Sequence, residues 1–452
     1  MSSPDPGDSI LLVLPIPFRR DLQGRLFLEA QACNGLRRWA DHFGRVVAAC
    51  PVAPMPVGDS ASERYLPLDS VVNPGHIDAV ELPGAYTLRS FASQYRQTRT
   101  QLAGLIRRSG YLSFAIGGLF GDWAAVAALE ADRQGRGFSV WTDRVEHKVT
   151  LGQHLDSRGL KRIYRGLKNR LVISPLMKAL EHHVISRSAL GLFHGRDCYE
   201  AYAPHCRSPH LVHDIHLGAE DRIPGAELAE KLARARMGLP LRITYAGRAT
   251  AMKGPLDWVR TLANLRDRGV AYKATWLGDG PMLPDMKQQV DALGLADLVE
   301  FRGFVSDREE ILKALRASDL FLFCHKTPES PRCLIEALVA GTPIVGYTSH
   351  YAADLLEEQA GQLLVPLDDV DALASTVAGL DADRPRLARI MGRCDDLGSH
   401  FSDTEVFRHR SDLIRSEPAT AQDEVIRFAG SRAYANSLPR PLEVLEHASS
   451  EL

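Results

Sequence analysis

Two doubly wound α/β domains are the architecture this sequence predicts, on three observations. Residues 10–215 and 241–366 each alternate apolar runs of strand length with longer stretches of helical spacing, the rhythm of parallel strands joined by helices. A stretch from Gly218 to Gly238, carrying Pro224 and Gly225, reads as a linker between the halves. The 452 residues suffice for two cores of ordinary size, and 45% hydrophobic with 24% charged residues is the balance of a globular chain.

In the first half the strand candidates are Ile10–Pro17, Arg45–Val52, His76–Leu82, Tyr111–Gly118, Gly137–Asp143 and Ala189–Gly195, with helices near 25–42, 88–108 and 121–135. In the second half they are Leu241–Ala246, Lys273–Leu277, Leu298–Gly303, Asp319–His325, Thr342–Thr348 and Gln362–Pro366. Neither a GxGxxG nor a P-loop sequence occurs, so dinucleotide and P-loop chemistry are not indicated.

A formal net charge of -2 argues against nucleic acid as a partner. The 7 cysteines are scattered without CxxC pairing, the usage of buried, reduced thiols in a cytoplasmic protein. The early run Ile10–Pro17 is too short to span a bilayer and follows an acidic start, which does not suit a secretory signal.

The most informative stretch is Ala317 to Thr348, read as strand, loop, helix, strand. Ser330 and Pro331 are expected as N-cap and N1 of the helix, and Gly341 as its C′ residue. A helix that opens directly after a strand's carboxyl end stands where α/β sheets bind ligands. Free N–H groups at Arg332, Cys333 and Leu334, with the helix dipole behind them, suit a diphosphate. The flanking carboxylates Glu329 and Glu336 suit hydroxyls, which points to a ligand carrying both sugar and phosphate.

Glu336-Ala337 and Gly341-Thr342-Pro343-Ile344-Val345 resemble the signature of retaining glycosyltransferase family 4 (glycosyl transferases group 1). Glu329 lies one residue closer to Glu336 than that family's first glutamate, whose place Pro328 takes. After the first strand of the second half, Gly247-Arg248…Lys253-Gly254 offers two cations that can converge on one diphosphate. It also resembles the family's Gly-Arg…Lys-Gly element. Gly278-Asp279-Gly280-Pro281 fits the family and reads equally well as a structural turn. The resemblance is specific over about residues 240–380 and architectural before that.

It implies the GT-B architecture: two Rossmann-like domains around a central cleft, with 1–218 on the acceptor side, 219–383 binding the nucleotide sugar, and helices of 384–415 crossing back. Residues 416–452 form a polar tail. The implied reaction is transfer of a hexose from a UDP- or GDP-sugar with retention, without cofactor or metal. Arg248, Lys253 and Glu329 are then the catalytic candidates. Glu336, Arg332, Cys333, Leu334, Gly247, Phe304, Val305 and Gly24 are donor-side candidates.

On the acceptor side three loops follow strand ends. Gly24 closes a loop that resembles the family's glycine-rich loop and also reads as a plain βα turn. The loop Gly117–Trp123 lacks the histidine that many relatives carry there, and its Asp122 reads as a ligand or as an N-cap. Asp143 and His147 face the acceptor, or belong to a surface loop of mixed charge. Residues 158–187 carry eight Lys or Arg against one acid, Glu181, with Leu160, Ile163, Tyr164, Leu167 and Leu171 at helical spacing. This segment suits either a solvated helix or peripheral contact with an anionic inner membrane face, and the latter favours a lipid-linked saccharide acceptor. A non-catalytic nucleotide-sugar binder, an epimerase and a phosphorylase are the alternative readings.

Overall fold

The computed structural model describes residues 6–56, 65–152, 167–327, 329–356, 363–399 and 401–416. Its strands are β1 Ser9–Val13, β2 Phe18–Arg20, β3 Leu26–Glu29, β4 Arg45–Pro54, β5 Tyr65–Pro67, β6 Ile77–Leu82, β7 Tyr111–Ala115, β8 Ser139–Thr142, β9 Leu190–His194 and β10 Pro209–Val212 in the first domain. The second domain holds β11 Leu241–Ala246, β12 Tyr272–Leu277, β13 Val299–Gly303, β14 Leu320–Phe323, β15 Ile344–Tyr347 and β16 Leu364–Val365.

The first sheet runs β10-β9-β8-β7-β1-β4-β2-β3-β5, with β6 also paired to β4. From Ile10 to Val13 the residues of β1 are apolar and buried because both faces of this sheet are covered. Leu11 and Val13 enter the core shared with Phe114 and Trp123, whereas Ile10 and Leu12 enter the core shared with Trp39 and Phe43. The second sheet is wholly parallel, in the order β13-β12-β11-β14-β15-β16, and a single apolar core wraps it. Each order reverses at a switch point, between β1 and β7 in one sheet and between β11 and β14 in the other. At such points the helices leave on opposite faces and a crevice opens at the carboxyl ends.

Two expectations are corrected. The helix expected near 25–42 starts only at Ala30, because Leu26–Glu29 pairs antiparallel with β2 and β5. The linker Gly218–Gly238 contains the helix Gly225–Arg236, whose buried Lys231 donates to the Ala340 carbonyl. In the basic segment, Arg158, Lys161, Arg162 and Arg165 lie outside the described residues. From residue 167 the chain is helical, through a π turn at Asn169–Ile173 into Ser174–Ile185. The last helix among the described residues, Asp403–Ser416, packs on the first domain, where Phe407 and Ile414 complete the Trp39 core.

Candidate active site

The second domain's half of the site is built at its switch point. β11 ends at Ala246, and the loop after it is tied to the loop after β12 by Gly247 N–H to Leu277 O (2.8 Å) and Ala249 N–H to Asp279 O (3.0 Å). Arg248 leaves this loop toward the cleft. A short 3₁₀ turn follows, and Gly254, at φ +61°, opens the helix Pro255–Asp267. Lys253 at the end of that turn forms an ion pair with Glu329, Nζ to Oε1 at 2.6 Å, with both side chains largely buried.

Glu329 sits in the loop after β14. The buried His325 shares a hydrogen bond with the Tyr245 hydroxyl at 2.9 Å and lies 3.8 Å from Glu329. Burial, and then the Lys253 charge, hold that imidazole well below its usual range. The same loop touches the first domain at Arg144 and at His194. The backbones of Arg144 and Glu329 form a β-bridge, and Ser330 Oγ donates to the His194 carbonyl at 2.9 Å.

Ser330 is therefore engaged elsewhere, and Pro331 is the N-cap of helix Arg332–Val339. Of the three N–H groups expected to be free, that of Leu334 donates to Pro331 O at 3.1 Å. Gly341, at φ +62°, ends the helix as expected. The Arg332 side chain reaches across the cleft, donating to Gln31 Oε1 at 2.6 Å and pairing with Asp214 Oδ2 at 3.1 Å. Burial alone would raise the Asp214 carboxyl, but Arg332, His216 and Arg410 outweigh it and hold it well below the usual range.

Between the two halves lies a cavity of about 470 Å³. The first domain contributes the carboxyl ends at its own switch point, Leu14–Pro17 after β1 and Ile116–Gly117 after β7. It adds Glu29, Gln31, Trp39, Trp141, Asp143, Arg144 and Glu146, and the last helix adds Phe407 and Arg410. From the second domain come Arg248 and Arg332. The two switch points thus face one another across a single space.

Of the candidates read from sequence, Arg248, Arg332 and Asp143 line this cavity. Lys253 and Glu329 are not in its lining and form the ion pair just described. Glu336 and Cys333 lie on the helix beside Arg332. Burial raises the Glu336 carboxyl against the opposing Arg332 charge, and it pushes the Cys333 thiol up to about 12. Leu334 is a core residue. Gly247, Phe304 and Val305 are outside the lining.

The donor-side candidate Gly24 and the acceptor-side candidates Asp122 and His147 also fall outside it. Gly24 is at the exposed tip of the β2–β3 hairpin, its N–H bonded to Asp21 O at 3.1 Å, because the expected βα turn is a strand reversal. Asp122 is the N-cap of helix Trp123–Arg133, accepting from Ala125 N at 2.9 Å and Gly117 N at 3.1 Å. His147 points into the first domain, where its Nδ1 lies 2.6 Å from Glu181 Oε2, which also accepts from the Tyr202 hydroxyl at 2.8 Å.

Sequence reasoning missed Glu146, Asp214 and Arg410. Glu146 stands between the candidates Asp143 and His147 in the stretch that follows β8, so its position after a strand is a usable signal. Asp214 and Arg410 carried none, since only the fold brings residues 196 apart in sequence to 3.3 Å. Arg410 is buried, with its guanidinium 4.8 Å from the Trp141 ring centroid and 5.1 Å from that of Trp39.

Comparison with known proteins bears on the same regions. Residues 240–383 match the family described as glycosyl transferases group 1. A 2-deoxystreptamine glucosyltransferase of Streptomyces kanamyceticus is 31% identical over 44% of this chain and 53% of its own length, so the chain spans about half of that relative. The putative colanic acid biosynthesis glycosyltransferase WcaL of Escherichia coli K12 is 26% identical over 53% of this chain and 67% of its own. Among solved structures, HepE of Anabaena in complex with UDP and glucose superposes with a TM-score of 0.63 at 14% identity, over 90% of this chain and 99% of that one. The chain is of GT-B architecture, and its residues 240–383 are similar to the glycosyl transferases group 1 family.

Proposed function

We propose that the protein is a metal-independent, retaining glycosyltransferase that moves a hexose from a nucleotide sugar to a saccharide or lipid-linked saccharide in surface polysaccharide synthesis. The observation that carries this reading is the pair of facing switch points, with Arg248 and Arg332 entering the shared cavity from the second domain. Lys253, paired with Glu329 beside them, supplies a third cation once a diphosphate competes for it. The UDP and glucose bound to HepE favour a UDP-sugar. The name of WcaL favours a polysaccharide pathway.

In the proposed reaction the bond from the anomeric carbon to the diphosphate oxygen breaks, and the acceptor oxygen bonds to the same face of that carbon. The acceptor's proton passes to the leaving diphosphate. Arg248, Lys253 and the start of helix Arg332–Val339 stabilise the charge that develops there. Freed from Lys253, Glu329 holds donor hydroxyls, and Glu336 holds the ribose. The exposed Leu167, Leu171, Val172 and Leu176, beside the basic stretch 158–187, suit peripheral contact with an anionic cytoplasmic membrane face. Among the described residues no helix is long and apolar enough to cross a membrane.

A thermal-shift panel of nucleotide sugars, with and without EDTA, tests the donor half. A donor-specific rise that survives EDTA supports the reading, and silence toward every donor counts against it. Arg248→Ala and Lys253→Ala should each lower kcat by about 10²–10³-fold while the melting temperature holds. Near-normal turnover in both variants would sink the assignment.

A further inference from the structure

Transfer requires the acceptor hydroxyl to be held against the donor, and the groups assigned above all come from the second domain. Glu146 occupies the opposite wall. It opens the helix Glu146–Gly152, lines the cavity and is 8% exposed. Its Oε1 accepts from Arg144 Nε at 2.6 Å. Facing it is the bare backbone of Gly117, where a Cβ would stand 3.2 Å from the same oxygen. Any side chain there would crowd the carboxylate.

Position in the cleft gives this carboxylate its significance. Arg144, which anchors it, is also the residue whose backbone bridges to Glu329, and Glu329 is ion-paired with Lys253. Glu146 therefore stands on the first-domain side of the point where the loops of the two domains meet. We propose that Glu146 binds the nucleophilic hydroxyl of a sugar acceptor and orients it toward the donor's anomeric carbon. The inference rests on the transferase reading above. Burial, opposed by Arg144, pushes the carboxyl up to about 7. Both of its protonation states are thus present near neutrality, and either can hold a hydroxyl, one as acceptor and the other as donor.

The test compares wild type, Glu146→Ala, Glu146→Gln and Gly117→Ala, with UDP-glucose as donor and a panel of alkyl glycosides as acceptors. Calorimetric affinity for UDP reads the second-domain half and should stay within about twofold in every variant. Glu146→Ala should raise the glycoside KM by about tenfold or more and lower kcat, because the hydroxyl loses its partner. Glu146→Gln, whose amide oxygen still accepts, should stay within about fivefold of wild type. Gly117→Ala, which presses on Oε1 without removing it, should raise the glycoside KM while UDP affinity holds.

Unchanged acceptor kinetics in Glu146→Ala would overturn the proposal. So would equal loss in the Ala and Gln variants, since that marks a proton acceptor and not an orienting group. A wild type that binds UDP-glucose but takes no glycoside also overturns it. A wild type that binds no nucleotide sugar overturns the transferase reading itself.

Discussion

Gly254 decides whether the cations of the second domain can be presented at all. Its φ of +61° lets the Arg248–Lys253 loop turn directly into helix Pro255–Asp267, and a Cβ there would overlap the Cys324 carbonyl. Gly254→Ala should cost about 1–3 kcal/mol in urea denaturation and weaken UDP binding in parallel. Glu146 has a stability consequence of its own. Its folded-state carboxyl lies near 7, above its ordinary 4.5, so the folded chain binds more protons than the unfolded one between those values. The stability linked to this group is full below about pH 4.5 and is lost as pH rises through about 7. Melting curves should therefore show Glu146→Gln gaining on wild type from pH 5 to pH 8; a constant offset would contradict the buried carboxyl. Single residues were legible where a local pattern fixed their place, as with Arg248 just past a strand end. His147 and Glu146 could not be separated that way. Neighbouring residues of one helical turn point about 100° apart, so one meets the cavity and the other the Glu181 carboxylate.

Elements were read best where burial is two-sided. The central strands β1 and β14 appear in the sequence as apolar runs, Ile10–Val13 and Leu320–Phe323, because they are buried on both faces, and the bounds of β11 match the sequence pattern at both ends. The β2–β3 hairpin escaped because its strands have only 3 and 4 residues, too few to display a period of two. The helix Gly225–Arg236 escaped because Pro224 and Gly225, which open it, read as breakers. Docking of the last helix turns on Arg410, which is paired with Asp214 at 3.3 Å and lies over Trp39, Trp141 and Phe407. Removing Arg410 empties the space between these rings and takes from Asp214 one of its two guanidinium partners, Arg332 being the other. Arg410→Ala should therefore destabilise the fold by about 3–5 kcal/mol, as read by chemical denaturation. A loss below about 1 kcal/mol, the range of an exposed pair, would mean that the helix docks by apolar contact alone.

At the scale of the whole molecule, the two-domain architecture was legible from the repeated strand–helix rhythm, and the cavity was not. Its walls combine residues from loops far apart in the chain, including Gln31 with Arg332 and Asp214 with Arg410. No local spacing encodes such meetings. The surface carries one more prediction. Protein should sediment with vesicles containing phosphatidylglycerol and should be released as salt rises, because screening weakens the basic contact. Equal sedimentation with neutral vesicles would argue against an electrostatic component.

The return of the chain to its first domain also sets an order of assembly. Phe407 and Ile414 belong to the same core as Ile10, Trp39 and Phe43. During synthesis that core stays open until the final helix has emerged from the ribosome, long after the strands around it are available to pair. The first domain is then an unfinished object for most of translation, with Trp39 awaiting a neighbour that is still being decoded. Chains stopped after residue 399 should be captured by chaperones or aggregate, whereas chains that include residues 401–416 should not.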